Sequence, residues 1–329
     1  MKIYKQNKNF FSIISFFLLF LNGLVAQPIV DTSFQPIVGT PAYPEGKGPV
    51  ILIDEGHYNW RTISLAKIPH SEEMMLGRFI PFAHLLRQDG YIVKAINSSF
   101  TKGILKNGNV LVIGGPGGPD ANQDWKSPTL PIFNEEEIEA VIHWVEEGGS
   151  LLLVAGTYGG SVAAAELAEK FGLFFSSGSA FKVKDQYERT NRDWIMFRRT
   201  DGSLANHPII NGREEGEKVD SIMTFEGQAF RIKPGADIQP LLVFTEPTIL
   251  VFESDGPFEQ APRIRADGML QGVVFQYGKG RVAVFGEGGM FCAQVSSIGP
   301  IGMNHPDASQ NAQFILNVVH WLSGIISKK

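Results

Sequence analysis

Short, wholly apolar segments alternate with amphipathic ones across residues 49–172, and this rhythm is the feature that most constrains the fold. An apolar run of about five residues without polar alternation is typical of a strand buried on both faces of a parallel sheet. The intervening segments have the length and spacing of helices, and glycines stand at the junctions. Strands and helices in alternation form parallel βαβ units with right-handed crossovers. The sequence therefore predicts an α/β protein whose parallel sheet is flanked by helices.

Several elements are placed by their pattern alone. Strands are predicted at 49–54, 91–96, 109–113, 150–155, 270–276 and 281–285. The clearest helix is predicted over 135–147, with Asn134 as its N-cap, Glu137 completing a capping box and Gly148 following its end. A further helix is predicted over 311–323, where apolar residues recur at helical spacing.

The predicted α/β domain extends over residues 48–329. Within it, the alternation breaks between about 173 and 269, where the sequence is polar and rich in turn residues, with strands predicted only at 241–245 and 248–252. This stretch is predicted to be a β-rich elaboration of the same domain. Residues 27–47 contain four prolines and little periodicity, and they are predicted to form an extended leader.

The first 26 residues predict export. Three lysines precede an apolar stretch at 10–21, and Ala26 stands before the polar Gln27, which is the pattern of a cleavable secretory signal peptide. About 12 apolar residues are fewer than the roughly 20 that a spanning helix needs, although an uncleaved membrane anchor is the alternative. We expect cleavage after Ala26, a periplasmic or secreted mature protein, and no membrane span after cleavage.

Charge and cysteine content exclude several classes of protein. The net charge is −5, whereas nucleic-acid-binding proteins normally present a basic face. The one cysteine, Cys292, excludes an internal disulfide and any metal site built from several cysteines. Cys292 lies among apolar residues, so it is expected to pack in the core. No cofactor and no metal are expected.

Candidate catalytic residues follow from the predicted topology, since ligands of open α/β sheets bind outside the carboxyl ends of the strands. Glu55 and His57 follow the first predicted strand, and Glu287 follows the last. A carboxylate beside an imidazole can act as a general base, and the three side chains together could also ligate a metal. The alternative is structural: the carboxylates bond local backbone amides and His57 is a satisfied core histidine.

Further residues at the same strand ends are candidates for ligand binding. They are Asn59, Gly115, Gly117, Thr157, Tyr158 and Gln294. The loop from Gly114 to Gly118 matches neither common phosphate-binding pattern, and Pro116 removes an amide that a phosphate would need. Its glycines are therefore expected to serve tight turns. With Glu55, His57 and Glu287, these groups are expected to line one cleft.

One turn carries a family resemblance. Gly156-Thr157-Tyr158-Gly159-Gly160, after the fourth predicted strand, resembles the nucleophile turn of the class I glutamine amidotransferase-like superfamily. That turn reads G-x-C-x-G, and its cysteine attacks glutamine. The resemblance implies a flavodoxin-like sheet, and Tyr158 at the cysteine position implies that glutaminase activity is absent.

Within that superfamily, the chain is most similar to secreted bacterial domains of unassigned function and, more distantly, to the trehalose-utilisation (ThuA-like) branch. The segments that carry this likeness are residues 53–59, 201–209, 278–287 and 317–322. The resemblance implies an extracytoplasmic role alongside proteins that handle polysaccharides.

Three functions follow as hypotheses. The first is a non-catalytic derivative of the fold that binds a small polar ligand, such as a sugar, at the strand ends. The second is a hydrolase in which Glu55 or Glu287 is a general base oriented through His57. The third is an assembly module of a cell-envelope complex that uses residues 173–269 as its contact surface.

Overall fold

The computed structural model describes residues 28–65, 76–117, 130–156, 159–182, 194–245, 247–252, 260–297 and 299–327. In chain order the strands are β1 (Ile29–Val30), β2 (Val50–Asp54), β3 (Ile92–Ile96), β4 (Val110–Gly114), β5 (Ser150–Val154), β6 (Leu173–Phe175), β7 (Ser179–Lys182), β8 (Ile195–Arg198), β9 (Ser221–Thr224), β10 (Phe230–Ile232), β11 (Gln239–Val243), β12 (Thr248–Val251), β13 (Arg263–Arg265), β14 (Leu270–Tyr277), β15 (Gly280–Phe285), β16 (Ala293–Ser296) and β17 (Gly299–Gly302). The helices are α1 (Ile80–Gln88), α2 (Lys102–Leu105), α3 (Glu135–Glu146), α4 (Gly159–Ala163), α5 (Ala165–Lys170), α6 (Pro208–Asn211) and α7 (Asn311–Leu322).

A parallel half-sheet forms the centre of the fold. Strands β3, β2, β4, β5 and β15 lie side by side in that order, and every neighbouring pair is parallel. In order of appearance along the chain, these five strands are arranged second, first, third, fourth, fifth, which is the flavodoxin-like arrangement. The predicted α/β class and its flavodoxin-like sheet are confirmed.

The central strands form where the sequence is apolar on both faces. All five residues of β4 and of β5 are buried, because helices cover both sides of the sheet. Alternate residues of a strand therefore enter two separate cores. Ile51 and Ile53 pack in one core with α1 and α7, whereas Leu52 packs in the other with α3 and α5.

Helix α3 begins and ends where the sequence predicts. The side chain of Asn134 accepts a hydrogen bond from the backbone N–H of Glu137 at 2.9 Å, and the Glu137 side chain accepts one from the backbone N–H of Asn134 at 3.2 Å. This is the predicted capping box, and it satisfies two backbone donors at the start of the helix.

Residues 173–269 contribute strands to three different sheets. β6, β10 and β11 extend the central sheet through the antiparallel strand β14. β7, β12 and β13 form a separate three-stranded sheet, and β8 pairs with β9. The two strands predicted here, at 241–245 and 248–252, correspond to β11 and β12.

The segment before β2 packs against the domain. β1 pairs with β16, which also pairs with β17. Further along, the N–H of Ala42 donates to the Asp89 carboxylate at 2.7 Å, and the Tyr43 ring packs edge-on against Tyr91. The other carboxylate oxygen of Asp89 bonds the buried His320 ring at 2.6 Å. Among the described residues, no helix is long and apolar enough to cross a membrane.

Candidate functional site

The carboxyl ends of four parallel strands meet along one edge of the sheet. β2, β4, β5 and β15 end there, and the loops that follow them bond to one another. The N–H of Trp60 donates to the carbonyl of Gly115 at 2.8 Å, and that of Gly117 donates to the carbonyl of His57 at 3.1 Å. Tyr58 has a φ of 52°, in the left-handed region, which reverses the chain at this point. We call the loops 54–61, 114–117 and 286–289 the strand-end rim.

His57 is held between two carboxylates. Its Nδ1 lies 2.9 Å from Asp54 Oδ1, and its Nε2 lies 2.9 Å from Glu137 Oε1. The ring packs against Phe100 and Phe133, and the whole residue is buried. Helix α3, through Glu137, is thereby joined to the loop that follows β2.

Two opposing effects set the pKa of His57. Burial disfavours the charged ring and lowers the pKa, but hydrogen bonds and charge attraction from Asp54 and Glu137 outweigh it and raise the pKa to about 9. Burial likewise acts to raise the pKa of Glu137, yet its hydrogen bonds and the charge of His57 lower it overall. At neutral pH the ring is therefore a buried imidazolium between two carboxylates.

Glu55 bonds the backbone of its own loop. Its Oε1 accepts hydrogen bonds from the N–H groups of Ile63 at 2.6 Å and Ser64 at 3.0 Å. The side chain is buried, and Oε2 has no hydrogen-bond partner. Glu55 therefore fixes the turn at 62–64.

Glu287 bonds the turn that follows it. Its carboxylate accepts hydrogen bonds from the N–H groups of Gly289 and, at 2.9 Å, Met290. Burial raises the pKa of the Glu287 carboxyl, although these amides and the charge of Arg61 act in the opposite direction. The carboxylate thus organises the short helical turn at 289–291.

The three candidate catalytic side chains are therefore engaged with different partners. The ring of His57 bonds Asp54 and Glu137, and neither Glu55 nor Glu287 is among its partners. Their catalytic roles stay predictions, as does the expectation that they share one cleft.

The other predicted residues fall into two groups. Asn59 is buried and bonds both Asp54 and the backbone of His57, while Gly115 and Gly117 lie on the rim. Gln294 lies in β16, opposite Val30 of β1. Thr157 and Tyr158, the two central residues of the turn that carries the family resemblance, lie outside the described residues.

Sequence reasoning missed two rim residues, Trp60 and Arg61. Each has a buried side-chain nitrogen, Nε1 of Trp60 and Nε of Arg61, for which the described part of the chain offers no hydrogen-bond partner. Their position in the sequence was the available signal, because they directly continue the loop that follows the first strand.

Two glycines leave space that the Arg61 side chain occupies, and a third lies at ordinary contact distance from it. A Cβ on Gly115 would lie 2.4 Å from Nη1, one on Gly288 would lie 2.4 Å from Cζ, and one on Gly156 would lie 3.7 Å from Nη1. These glycines follow β4, β15 and β5 respectively. Any side chain at the first two positions would displace the guanidinium from the strand ends.

Other charged and titratable groups stand near this guanidinium. Burial, together with the like charge of Arg61, lowers the pKa of Arg78 to about 10. The Cys292 thiol also lies against Arg61, and burial raises its pKa. Within the described ranges, no three His, Cys, Asp or Glu side chains form a group that could hold a metal ion.

Comparison with models of protein families gives no match, and comparison with curated proteins gives none either. Among solved structures, the chain is similar to the one described as "mmIFT52 N-terminal domain", with a TM-score of 0.53 and 14% identity over 83% of this chain and 97% of that one.

Two ThuA-like proteins also match. The one from Bacteroides uniformis has a TM-score of 0.45 and 14% identity over 86% of this chain and 95% of its own. The one from Parabacteroides merdae has a TM-score of 0.42 and 12% identity over 86% and 93%. At such identities likeness concerns the fold alone, and the sheet order independently assigns the α/β, flavodoxin-like class.

Proposed function

We propose that this chain is an exported, non-catalytic derivative of the class I glutamine amidotransferase-like group that binds a small polar ligand at the strand-end rim. The observation that carries the proposal is a pair of buried donors, Trp60 Nε1 and Arg61 Nε, which have no partner among the described residues and lie where open α/β sheets bind ligands. By contrast, the carboxylates of Glu55 and Glu287 already accept backbone hydrogen bonds.

Two features of the sequence support a binding role and an exported location. Tyr158 stands where the resembling superfamily has its nucleophilic cysteine, and a phenol has neither the nucleophilicity nor the reach of a thiolate. The basic and apolar start of the chain supports export.

A panel of neutral sugars, sugar acids, sugar phosphates and amino acids tests the proposal through ligand-induced shifts of melting temperature. At least one class should stabilise the protein, and Gly117→Ala should abolish that effect. A Cβ on Gly117 would lie 2.7 Å from Trp60 Nε1 and 3.0 Å from the carbonyl of Tyr58, so it would deform the rim.

Gly216→Ala is the matched control, because a Cβ there meets nothing within 4 Å. This variant should respond as the wild type does. A panel without any stabilising ligand, or a response that survives Gly117→Ala, would contradict the proposal.

The hydrolase, with Glu287 as general base, remains the second candidate, because burial raises the pKa of the Glu287 carboxyl and general bases that work near neutral pH share this property. Product analysis of the same panel separates the two functions. Turnover that Glu287→Gln abolishes would establish the hydrolase, and binding without turnover would support the non-catalytic role.

A further inference from the structure

The buried donors of the strand-end rim define the chemistry of a missing acceptor. An indole N–H and a guanidinium can only donate hydrogen bonds. Burying such a donor without an acceptor costs free energy, and the cost is larger for a charged group. Among the described residues, neither Trp60 Nε1, which lies beside Gly117, nor Arg61 Nε, which lies beside Gly288, has an acceptor.

The glycines show that the fold accommodates the guanidinium in this place. Gly115 and Gly288 come from two different strand ends, and a Cβ on either would overlap Arg61. Gly288 has a φ of −124°, a conformation open to any residue, so backbone geometry does not require glycine there. Glycine is needed at position 288 because the Arg61 guanidinium occupies the space that a Cβ would take.

Among the described residues, the charged groups shown to interact near Arg61 are Arg78 and Glu287, so that two arginines face one carboxylate. Burial and, to a smaller extent, the like charge of Arg61 lower the pKa of Arg78. The charge of Arg61 also acts on Glu287, whose carboxylate already accepts two backbone hydrogen bonds. The thiol of Cys292 is fully buried, and its pKa is raised, so it is neutral at pH 7.

We propose that Arg61 and Trp60 together bind an oxyanion, the carboxylate or phosphate group of the small polar ligand, at the ends of β4, β5 and β15. A guanidinium presents a planar fork that matches either group, and charge-assisted hydrogen bonds of this kind are about twice as strong as neutral ones. This inference rests on the proposed function and adds the class of ligand and the residues that select it.

The experiment follows the indole N–H resonances of the ¹⁵N-labelled protein by NMR, with Trp60→Phe identifying the Trp60 signal. The probes are sodium phosphate and sodium acetate, each compared with sodium chloride at equal ionic strength. We expect a saturable shift of the Trp60 resonance with at least one probe and none with chloride. The probe that acts tells a phosphate from a carboxylate site.

Variants assign the effect to Arg61. Arg61→Gln should weaken the apparent affinity by about 10-fold or more, since it removes charge-assisted hydrogen bonds. Gly288→Ala retains Arg61 but displaces its guanidinium, so this variant should also bind the oxyanion more weakly than the wild type does.

Arg281→Gln is the matched control. Arg281 also lies beside a tryptophan, 5.3 Å from the Trp321 ring, but at the amino end of β15. This variant should retain the wild-type response, and the Trp321 resonance should not shift with either probe.

The inference is overturned if neither oxyanion gives a saturable shift, or if Arg61→Gln leaves the affinity unchanged. A neutral ligand from the panel whose binding depends on Gly117 but not on Arg61 would overturn the inference and leave the proposed function standing. A saturable oxyanion shift that depends on Arg61 would support the inference. If the panel then contained no stabilising ligand, the proposed function would be contradicted while the oxyanion site remained.

Discussion

Replacing His57 by glutamine should make the stability of the protein respond differently to pH. In the native structure the ring is a buried cation between Asp54 and Glu137, with a pKa of about 9 instead of the usual histidine value of 6.5. A raised pKa means that folding favours the protonated ring. The resulting stabilisation is fully present below pH 6.5 and is lost as the pH rises through 9.

The magnitude follows from the difference between the two pKa values. At about 1.4 kcal/mol per pKa unit, a difference of between two and three units corresponds to roughly 3 kcal/mol. His57 is only 6% exposed, so solvent screening reduces this value little. Removing one member of a buried ionic cluster costs about 3–5 kcal/mol in other proteins, which is the same range.

Urea unfolding of the wild type and of His57→Gln at pH 6, 7.5 and 9.5 measures the effect. The free energies of unfolding of the wild type and of His57→Gln should differ most at pH 6. At pH 9.5 this difference should be smaller by about 3 kcal/mol. His143→Gln is the control. His143 pairs with Glu146 on the exposed surface of α3, the helix that carries Glu137, and this pair should contribute little to stability. If the difference in unfolding free energy between wild type and His57→Gln stays constant with pH, the charged His57 ring does not stabilise the fold.

Three further predictions concern other parts of the chain. Glu55→Gln and Glu287→Gln should each cost about 1 kcal/mol or more of stability in melting experiments, because each carboxylate accepts two backbone hydrogen bonds; an unchanged melting temperature would contradict this. Mass spectrometry of the native protein should find Gln27 at its N-terminus, whereas a retained segment before Ala26 would refute cleavage. No ammonia should be released from glutamine, and Cys292→Ser should leave that result unchanged; release that this variant abolishes would identify Cys292 as the nucleophile.

The parallel half of the fold was predictable because its signals are local. The apolar run of β2 and the capping box of α3 each lie within a few consecutive residues, and burial on both faces leaves the run no polar alternation. The same holds for the polar residues that follow β2, since the end of a strand fixes which edge of the sheet they occupy.

The partners of the site residues were not predictable, because they depend on contacts between distant parts of the chain. Glu137, which bonds His57, lies 80 positions away and was recognised only as a helix cap. The environment of Arg61 is built by Gly115, Gly156 and Gly288, which follow three different strands. No spacing in the sequence shows that these glycines surround one guanidinium.

The leader shows a similar limit. Its prolines predict an extended conformation, but its attachment depends on Asp89 at the end of α1 and on β16, more than 40 positions away in each case. Such pairings are specified by the assembled sheet and not by the segment itself.

A map of backbone amide shifts locates the ligand that we propose for the strand-end rim. The titrant is the panel ligand that raises the melting temperature most. We expect the largest shifts at Gly115, Gly117 and Gly288. Largest shifts at the small cavity lined by Lys182, Ile195 and Phe244, with the rim amides unmoved, would contradict the proposal.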